Sequence, residues 1–245
     1  MDQYTEELIR HMSGFVTENK LTLFHRVLSE RTRYITVVLE DLYQSHNASA
    51  VMRTCDCTGI QDVYVVEQNN EYDVNVDIAL GSNKWLTIHH YNGGAEISRG
   101  LHNRKPDPMG GTHITRAVEA LKKKGYRIVA TSPHREGTTP ETFDLEKGKA
   151  ALLFGTELNG LTLRALELAD EFIRIPMVGF TESYNISVSA AVILSRLRKR
   201  LEESTLDWRL GEEEKGPILL NWLRNTIRMA EQIENKFRRE YSSTI

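Results

Sequence analysis

Six polar side chains in three short stretches are the candidates for chemistry in this 245-residue chain: Asn47 with Arg53, Glu157 with Asn159, and Ser183 with Asn185. Arg53 is the odd residue out in a helical segment otherwise lined by Ala48, Ala50, Val51 and Met52. Read from the residue alone, it is an arginine reaching the surface along its apolar stem. A cation in such a place can also offset negative charge developing on an oxygen. Glu157 follows an apolar run and precedes the turn Asn159-Gly160, where a carboxylate is either a surface charge or a positioning group. Ser183 and Asn185 have the side chains of helix N-caps, and a cap at a pocket floor also fixes the loop before it. His46, His89, His90, His102, His113 and His134 show no metal-ligand spacing, and no Ser-His-Asp order can be defended. Cys55 and Cys57 lie too close for a zinc site, so no metal is expected. GTELNG lacks the GxGxxG spacing and there is no Walker lysine, which argues against a dinucleotide or nucleotide cradled by glycine backbone.

These residues need a scaffold, and the apolar patterning supplies one. Strands are expected at 34–39, 62–67, 85–90, 126–131, 149–154 and 172–175, the last stopped by Pro176, which has no amide proton. Helices are expected at 48–58, at 112–124 with Thr112 as its cap, at 163–169 and at 186–197. Strands alternating with helices specify a doubly wound α/β sheet, whose ligands bind beyond the carboxyl ends of the strands. Three loops qualify, after Thr131, Phe154 and Ile175. Helix 186–197 is apolar on nearly every side, the mark of a buried helix, before it emerges into Arg196, Arg198, Lys199 and Arg200. Residues 4–30 read as helix interrupted near Gly14 and Thr17. After Gly216-Pro217, the residues Leu220, Leu223, Ile227, Ala230 and Phe237 trace one face of a long helix. The expected organisation is a helical arm at 1–33, an α/β domain at 34–200 and a helical extension at 201–245. Residues 72–81 read as a short helix or loop, and 92–111, rich in Gly and Pro, as a long loop.

Composition limits the partners. Forty per cent apolar residues suffice for a sizeable core, and no apolar run approaches a membrane span. The acidic start MDQYTEEL is unlike a secretory signal, and two isolated cysteines suit a reducing compartment, so a cytoplasmic protein is expected. The net charge of −3 does not announce nucleic acid, but Arg31 with Arg33, Lys122 to Lys124, Arg196 to Arg200, and Arg238 with Arg239 form local clusters that phosphates could use.

Three segments in order, LEDLYQSHNASAVMRTCDCTGI at 39–60, LLFGTELNGLT at 152–162 and IPMVGFTESYNISVSAAVIL at 175–194, resemble the signatures of the SpoU branch of the SPOUT RNA methyltransferases. The flanking arms resemble those of members that methylate a tRNA guanosine. The resemblance implies a parallel sheet with a carboxyl-terminal trefoil knot, a homodimer formed through it, and S-adenosylmethionine as methyl donor. It further implies methylation of a ribose 2′-hydroxyl, that of the D-loop guanosine of tRNA. Carried over by position, Arg53, Asn47, Glu157, Ser183 and Asn185 fall on catalytic positions, and Thr131, Gly155, Ile175 and Tyr184 on donor-contacting ones. Tyr184 stands where leucine is expected, which changes the shape of the pocket there. Arg31, Arg33, Arg198 and Arg200 are the expected RNA contacts. The alternatives are the same chemistry on ribosomal RNA, and an RNA-binding protein that keeps the fold without catalysis.

Overall fold

The computed structural model describes residues 1–42, 45–67, 81–92, 111–157 and 159–242. The expectations for 72–81, save Gly81, and for nearly all of 92–111 fall outside them. The chain divides into two compact units, Arg33–Trp208 and a second made of Met1–Thr32 with Arg209–Ile245.

In the first unit the apolar runs become strands β1 (Ile35–Glu40), β2 (Asp62–Val66), β3 (Thr87–Tyr91), β4 (Arg127–Thr131), β5 (Ala150–Phe154) and β6 (Glu171–Ile173). They form one sheet in the order β3-β2-β1-β5-β4-β6, and each neighbouring pair is parallel. β1, β2 and β5 are buried along their whole length, as strands covered on both faces must be. Helices α3 (Ser45–Cys57), α4 (Thr112–Lys123), α5 (Leu163–Leu168) and α6 (Ile186–Glu203) supply the cover. Alternation along the strands sorts two cores. Ile35, Val37 and Leu39 of β1 join Ala48, Val51, Met52 and Cys55 of α3 and Ile186, Ala190, Ile193 and Leu194 of α6. Val38, Ala151 and Leu153 point the other way, onto Ile114, Ala117, Val118 and Leu121 of α4 and Ala165 of α5. The expected α/β sheet with flanking helices is therefore the observed architecture.

Several features differ from the sequence reading, among them that α3 starts at Ser45 ahead of the expected 48 and β3 spans Thr87–Tyr91. β6 ends at Ile173, two residues early; Ile173 pairs with Thr131 of β4 on one side and bridges Thr138 on the other, whose carbonyl accepts the Arg174 N–H. Gly111, not Thr112, occupies the N-cap of α4, with φ 116°, a conformation that favours glycine. Helix α6 is not buried all round. Ile186, Ala190, Ile193, Leu194, Leu197 and Leu201 recur every three or four residues and face the core, while Val188 on the other side is 43% exposed. The carboxyl-terminal segment is two helices, α7 (Glu212–Thr226) and α8 (Ala230–Ser242), broken at Met229, whose φ is 66°. Glu214 Oε2 accepts the Gly211 N–H at 3.0 Å, so α7 starts before Gly216-Pro217 rather than at it.

The second unit packs α1 (Gln3–Ser13) against α7 and α8, and α2 (Glu18–Ser29) against α7. Thr17 caps α2, its hydroxyl accepting the Lys20 N–H, so the break expected near Thr17 is a helix start. Leu8, Met12, Phe24, Leu28, Trp222 and Leu223 form the buried apolar set. Both cysteines are free thiols, Cys55 buried and Cys57 exposed. No helix among the described residues is long and apolar enough to cross a membrane.

One buried carboxylate, Asp62, sits at the start of β2. Arg33 Nε donates to Asp62 Oδ2 at 3.0 Å, and His89 Nε2 lies 3.5 Å from the same oxygen. Burial pushes the Asp62 carboxyl up, but His89 and Arg33 together hold it below the ordinary carboxylate value. Beside it, burial and the Asp62 charge push the Tyr64 hydroxyl up to about 12. Because Asp62 titrates lower in the folded protein than in the unfolded chain, its contribution is complete above the ordinary carboxylate pKa and is lost as pH falls through the lower folded value. We expect Arg33→Ala to destabilise the fold by about 1–3 kcal/mol near neutral pH, and by less in acid. Denaturant melts at neutral pH and below pH 4 would check this.

Candidate active site

The carboxyl ends of β4, β5 and β6 open onto one cavity of about 370 Å³, within the range of small-molecule clefts. Its wall comes from three loops. Thr131 at the end of β4 leads into Ser132 to Arg135, Phe154 at the end of β5 into Gly155 to Glu157 and Asn159 to Leu161, and Ile173 at the end of β6 into Ile175, Met177 and Glu182 to Tyr184. Ile186, Ser189 and Ile193 of α6 close its floor. Apolar Leu161, Leu166, Ile173, Ile175 and Ile193 line the interior, and polar His134, Arg135, Glu157 and Glu182 sit round it. All four donor-site residues carried over from the resemblance, Thr131, Gly155, Ile175 and Tyr184, line this cavity.

Local geometry explains the loop after β5. Thr156 and Gly160 exchange N–H···O bonds at 2.9 Å each way, folding the loop into a tight hairpin. A Cβ on Gly155 would collide with the Gly160 carbonyl group and the Leu161 nitrogen, so only glycine fits there. Gly160 itself has φ 65°. The Thr131 hydroxyl donates to Leu153 O at 2.8 Å, so toward a ligand it can act only as an acceptor.

Three of the five predicted catalytic residues meet through side-chain hydrogen bonds. Asn47 Nδ2 donates to Glu157 Oε2 at 3.3 Å, and Asn185 Nδ2 donates to Asn47 Oδ1 at 3.1 Å and to Glu157 Oε1 at 3.4 Å. The Asn185 carbonyl oxygen accepts the backbone N–H of Ser187 at 2.8 Å and its hydroxyl at 2.6 Å, which caps α6 and fixes the amide the right way round. So the cap and the pocket-positioning readings of Asn185 describe the same contacts. Asn47 is buried and Glu157 exposed, with lone pairs left for a ligand. Ser183 lines the cavity beside them. Arg53 stands apart. It is exposed on α3, about 9 Å along the helix axis from Asn47 at 1.5 Å per residue, and does not line the cavity of its own chain. Among the described residues no group of three or more His, Cys, Asp or Glu could hold a metal ion.

Comparison with known proteins places this geometry. The profile of the SpoU rRNA Methylase family matches residues 34–113 and 109–195, which hold every cavity residue. The chain belongs to this family. It is 37% identical over 235 residues to the tRNA (guanosine(18)-2′-O)-methyltransferase of Borreliella burgdorferi, covering 96% of this chain and 98% of that relative. The enzyme of the same name from Thermus thermophilus is 33% identical, over 85% of this chain and 97% of its own. The crystal structure of the A. aeolicus TrmH/SpoU tRNA modifying enzyme superposes with a TM-score of 0.69 at 28% identity, over 86% of this chain and 98% of that one.

Within this SpoU framework the four arginines expected at RNA are turned to internal partners. Arg31 is 1% exposed, its guanidinium 5.3 Å from the centre of the Trp222 ring. Arg33 pairs with Asp62. Arg198 lies 4.0 Å over Trp208 and donates to Glu202, and Arg200 donates to the carbonyls of Pro140 and Phe143. An aromatic far along the chain decided Arg31, and no local pattern marks that. The sequence reading considered His134 only as a metal ligand and passed over Arg135 and Glu182, although Arg135 lies in the loop directly after β4 and that position was the available signal.

We expect Gly155→Ala to abolish ligand binding at the cavity and to cost about 1–3 kcal/mol of stability through overpacking. Calorimetric titration alongside thermal melts would show both; a variant that binds normally contradicts this account of the loop.

Proposed function

We propose that this protein transfers a methyl group from S-adenosylmethionine to the ribose 2′-hydroxyl of a guanosine in tRNA, the D-loop guanosine at position 18 named in its relatives. The observation that carries the reading is the meeting of Asn47, Glu157 and Asn185, from three separate signatures, at the edge of a cavity of suitable size.

The residues present fit the donor. Leu161, Leu166 and Ile175 offer apolar surface to an adenine ring, Glu157 and Glu182 negative charge to a sulfonium or ammonium, and Arg135 positive charge to a carboxylate. When bound, the donor supplies an electrophilic methyl group. The chain's own task is alignment, since displacement at that carbon requires the hydroxyl oxygen in line. Glu157, steadied by two amides, is suited to accept from the ribose hydroxyls and hold the sugar. Ser183, exposed at the cavity mouth, provides a further polar contact. Arg53 lowers the cost of charge developing on the attacking oxygen or clamps the adjoining phosphate. Arginine is a poor general base, so the role given to Arg53 is electrostatic and the proton acceptor is left open.

Arg53 does not line its own cavity, and this supports a homodimer in which it serves the cavity of a second copy. Val178 and Phe180 in the loop before α6, with Val188 on its outer side, are exposed apolar groups that such a partner would cover. In the same reading, residues 174–185 thread the trefoil knot. They carry the chain from the edge strand β6 back past β4 and β5 to α6, which packs on α3. Residues 34–200 are the methyltransferase domain, the terminal helices assist in holding tRNA, and the reaction is cytoplasmic. With the predicted arginines turned inward, Arg53, Arg135 and Arg174, all exposed, are the better-placed cations for the phosphates.

The test is methyl transfer from labelled donor to unmodified tRNA transcript, with the modified nucleotide mapped. Arg53→Ala should reduce the rate by about 10²–10³ while donor binding persists. Mixed dimers of Arg53→Ala and Glu157→Ala subunits should regain activity, because one cavity of each would again have both groups. No rescue would overturn the shared arrangement. Phe180→Asp should shift sedimentation from dimer to monomer.

A further inference from the structure

Glu40 ends β1, at a depth of 1% exposure, and lies outside the set of site residues discussed so far. A carboxylate there needs firm donors, since a buried charge without them costs several kcal/mol. Two come from one residue far along the chain. The Thr162 N–H donates to Glu40 Oε2 at 2.9 Å and the Thr162 hydroxyl to Oε1 at 2.7 Å. Burial pushes the Glu40 carboxyl up, the Thr162 bonds pull it down, and the neighbouring Asp41 charge raises it again, leaving it above the usual value.

Thr162 occupies a strategic place. Its hydroxyl also accepts the Ala165 N–H at 3.1 Å, capping α5, and it ends the cavity loop that begins at Gly155. Leu39 pairs with Phe154, so Glu40 stands in the row where that loop leaves the sheet. The loop is thus held at its start by the sheet, across its waist by Thr156 and Gly160, and at its far end by Glu40. We propose that Glu40 is a positioning residue that fastens the far end of the Gly155–Thr162 loop to the sheet and thereby sets the affinity of the cavity for the methyl donor. The inference rests on the reading of that cavity as the S-adenosylmethionine site. A carboxylate suits the task better than an amide. Two donors converge on two acceptor oxygens, and glutamine would turn an NH₂ group toward one of them.

The experiment compares wild type, Glu40→Gln, Glu40→Ala, Thr162→Val and Thr162→Ser, each checked for folding by circular dichroism. S-adenosylmethionine affinity is measured by calorimetry, and amide exchange is followed at Gly160, whose N–H bonds to Thr156 O. Glu40→Ala and Thr162→Val should weaken donor binding roughly tenfold or more and speed exchange at Gly160. Glu40→Gln should fall between, and Thr162→Ser, which keeps the hydroxyl, should match wild type. At saturating donor the turnover of each variant should stay near that of wild type, the pattern of lost ground-state binding. If Glu40→Ala proves unfolded, Glu40→Gln and Thr162→Val carry the comparison. Wild-type affinity and exchange in folded variants would overturn the proposal. Failure of the wild type itself to bind the donor would instead remove the reading of the cavity.

Discussion

Parallel strands all finish on the same side of a sheet, and this constraint organises the molecule. With β4, β5 and β6 side by side, three loops must leave from one rim, and whatever they carry is brought within reach. The helices then settle which loop residues face inward. Asn185 caps α6 and Thr162 caps α5, so both polar anchors of the rim are fixed by helix starts rather than by loose loop. A site built this way inherits its precision from secondary structure.

The cluster of Asn47, Glu157 and Asn185 shows how little interaction energy such a site needs. Each hydrogen bond is long, between 3.1 and 3.4 Å, and worth about 1 kcal/mol or less. Their value lies in direction. The Asn185 oxygen is held by Ser187, so its NH₂ group can only face the carboxylate and the neighbouring amide. Glu157 is thus presented with its orientation chosen before any substrate arrives. Gly155 serves the same end by exclusion, since any side chain there would force the hairpin apart.

Much of this was legible in the sequence. The strand runs, the rim loops after Thr131 and Phe154, the cap at Asn185 and the helix from Leu163 all follow from local rules of propensity and capping. What escaped depends on distant partners. Arg31 reads as a surface cation until Trp222, far along the chain, covers it. Arg200 reads the same until the carbonyls of Pro140 and Phe143 take its hydrogens. Helix α6 reads as wholly buried because its outer apolar residues look like core residues, and nothing local separates a core from an uncovered face. Glu40, an acid at the end of an apolar strand, looks like the place where the chain meets water. Only the return of Thr162 shows otherwise.

The two ends of the chain fold together: Thr32 pairs with Arg209, and the Leu210 N–H bonds to Arg31 O. Synthesis therefore delivers α1 and α2 long before α7 and α8 exist to shelter Leu8, Met12, Phe24 and Leu28. Residues 33–208 form a compact unit of their own, so those apolar faces stay uncovered until α7 and α8 have been made. Connectivity alone makes the helical unit the one that cannot be completed until α7 and α8 are present.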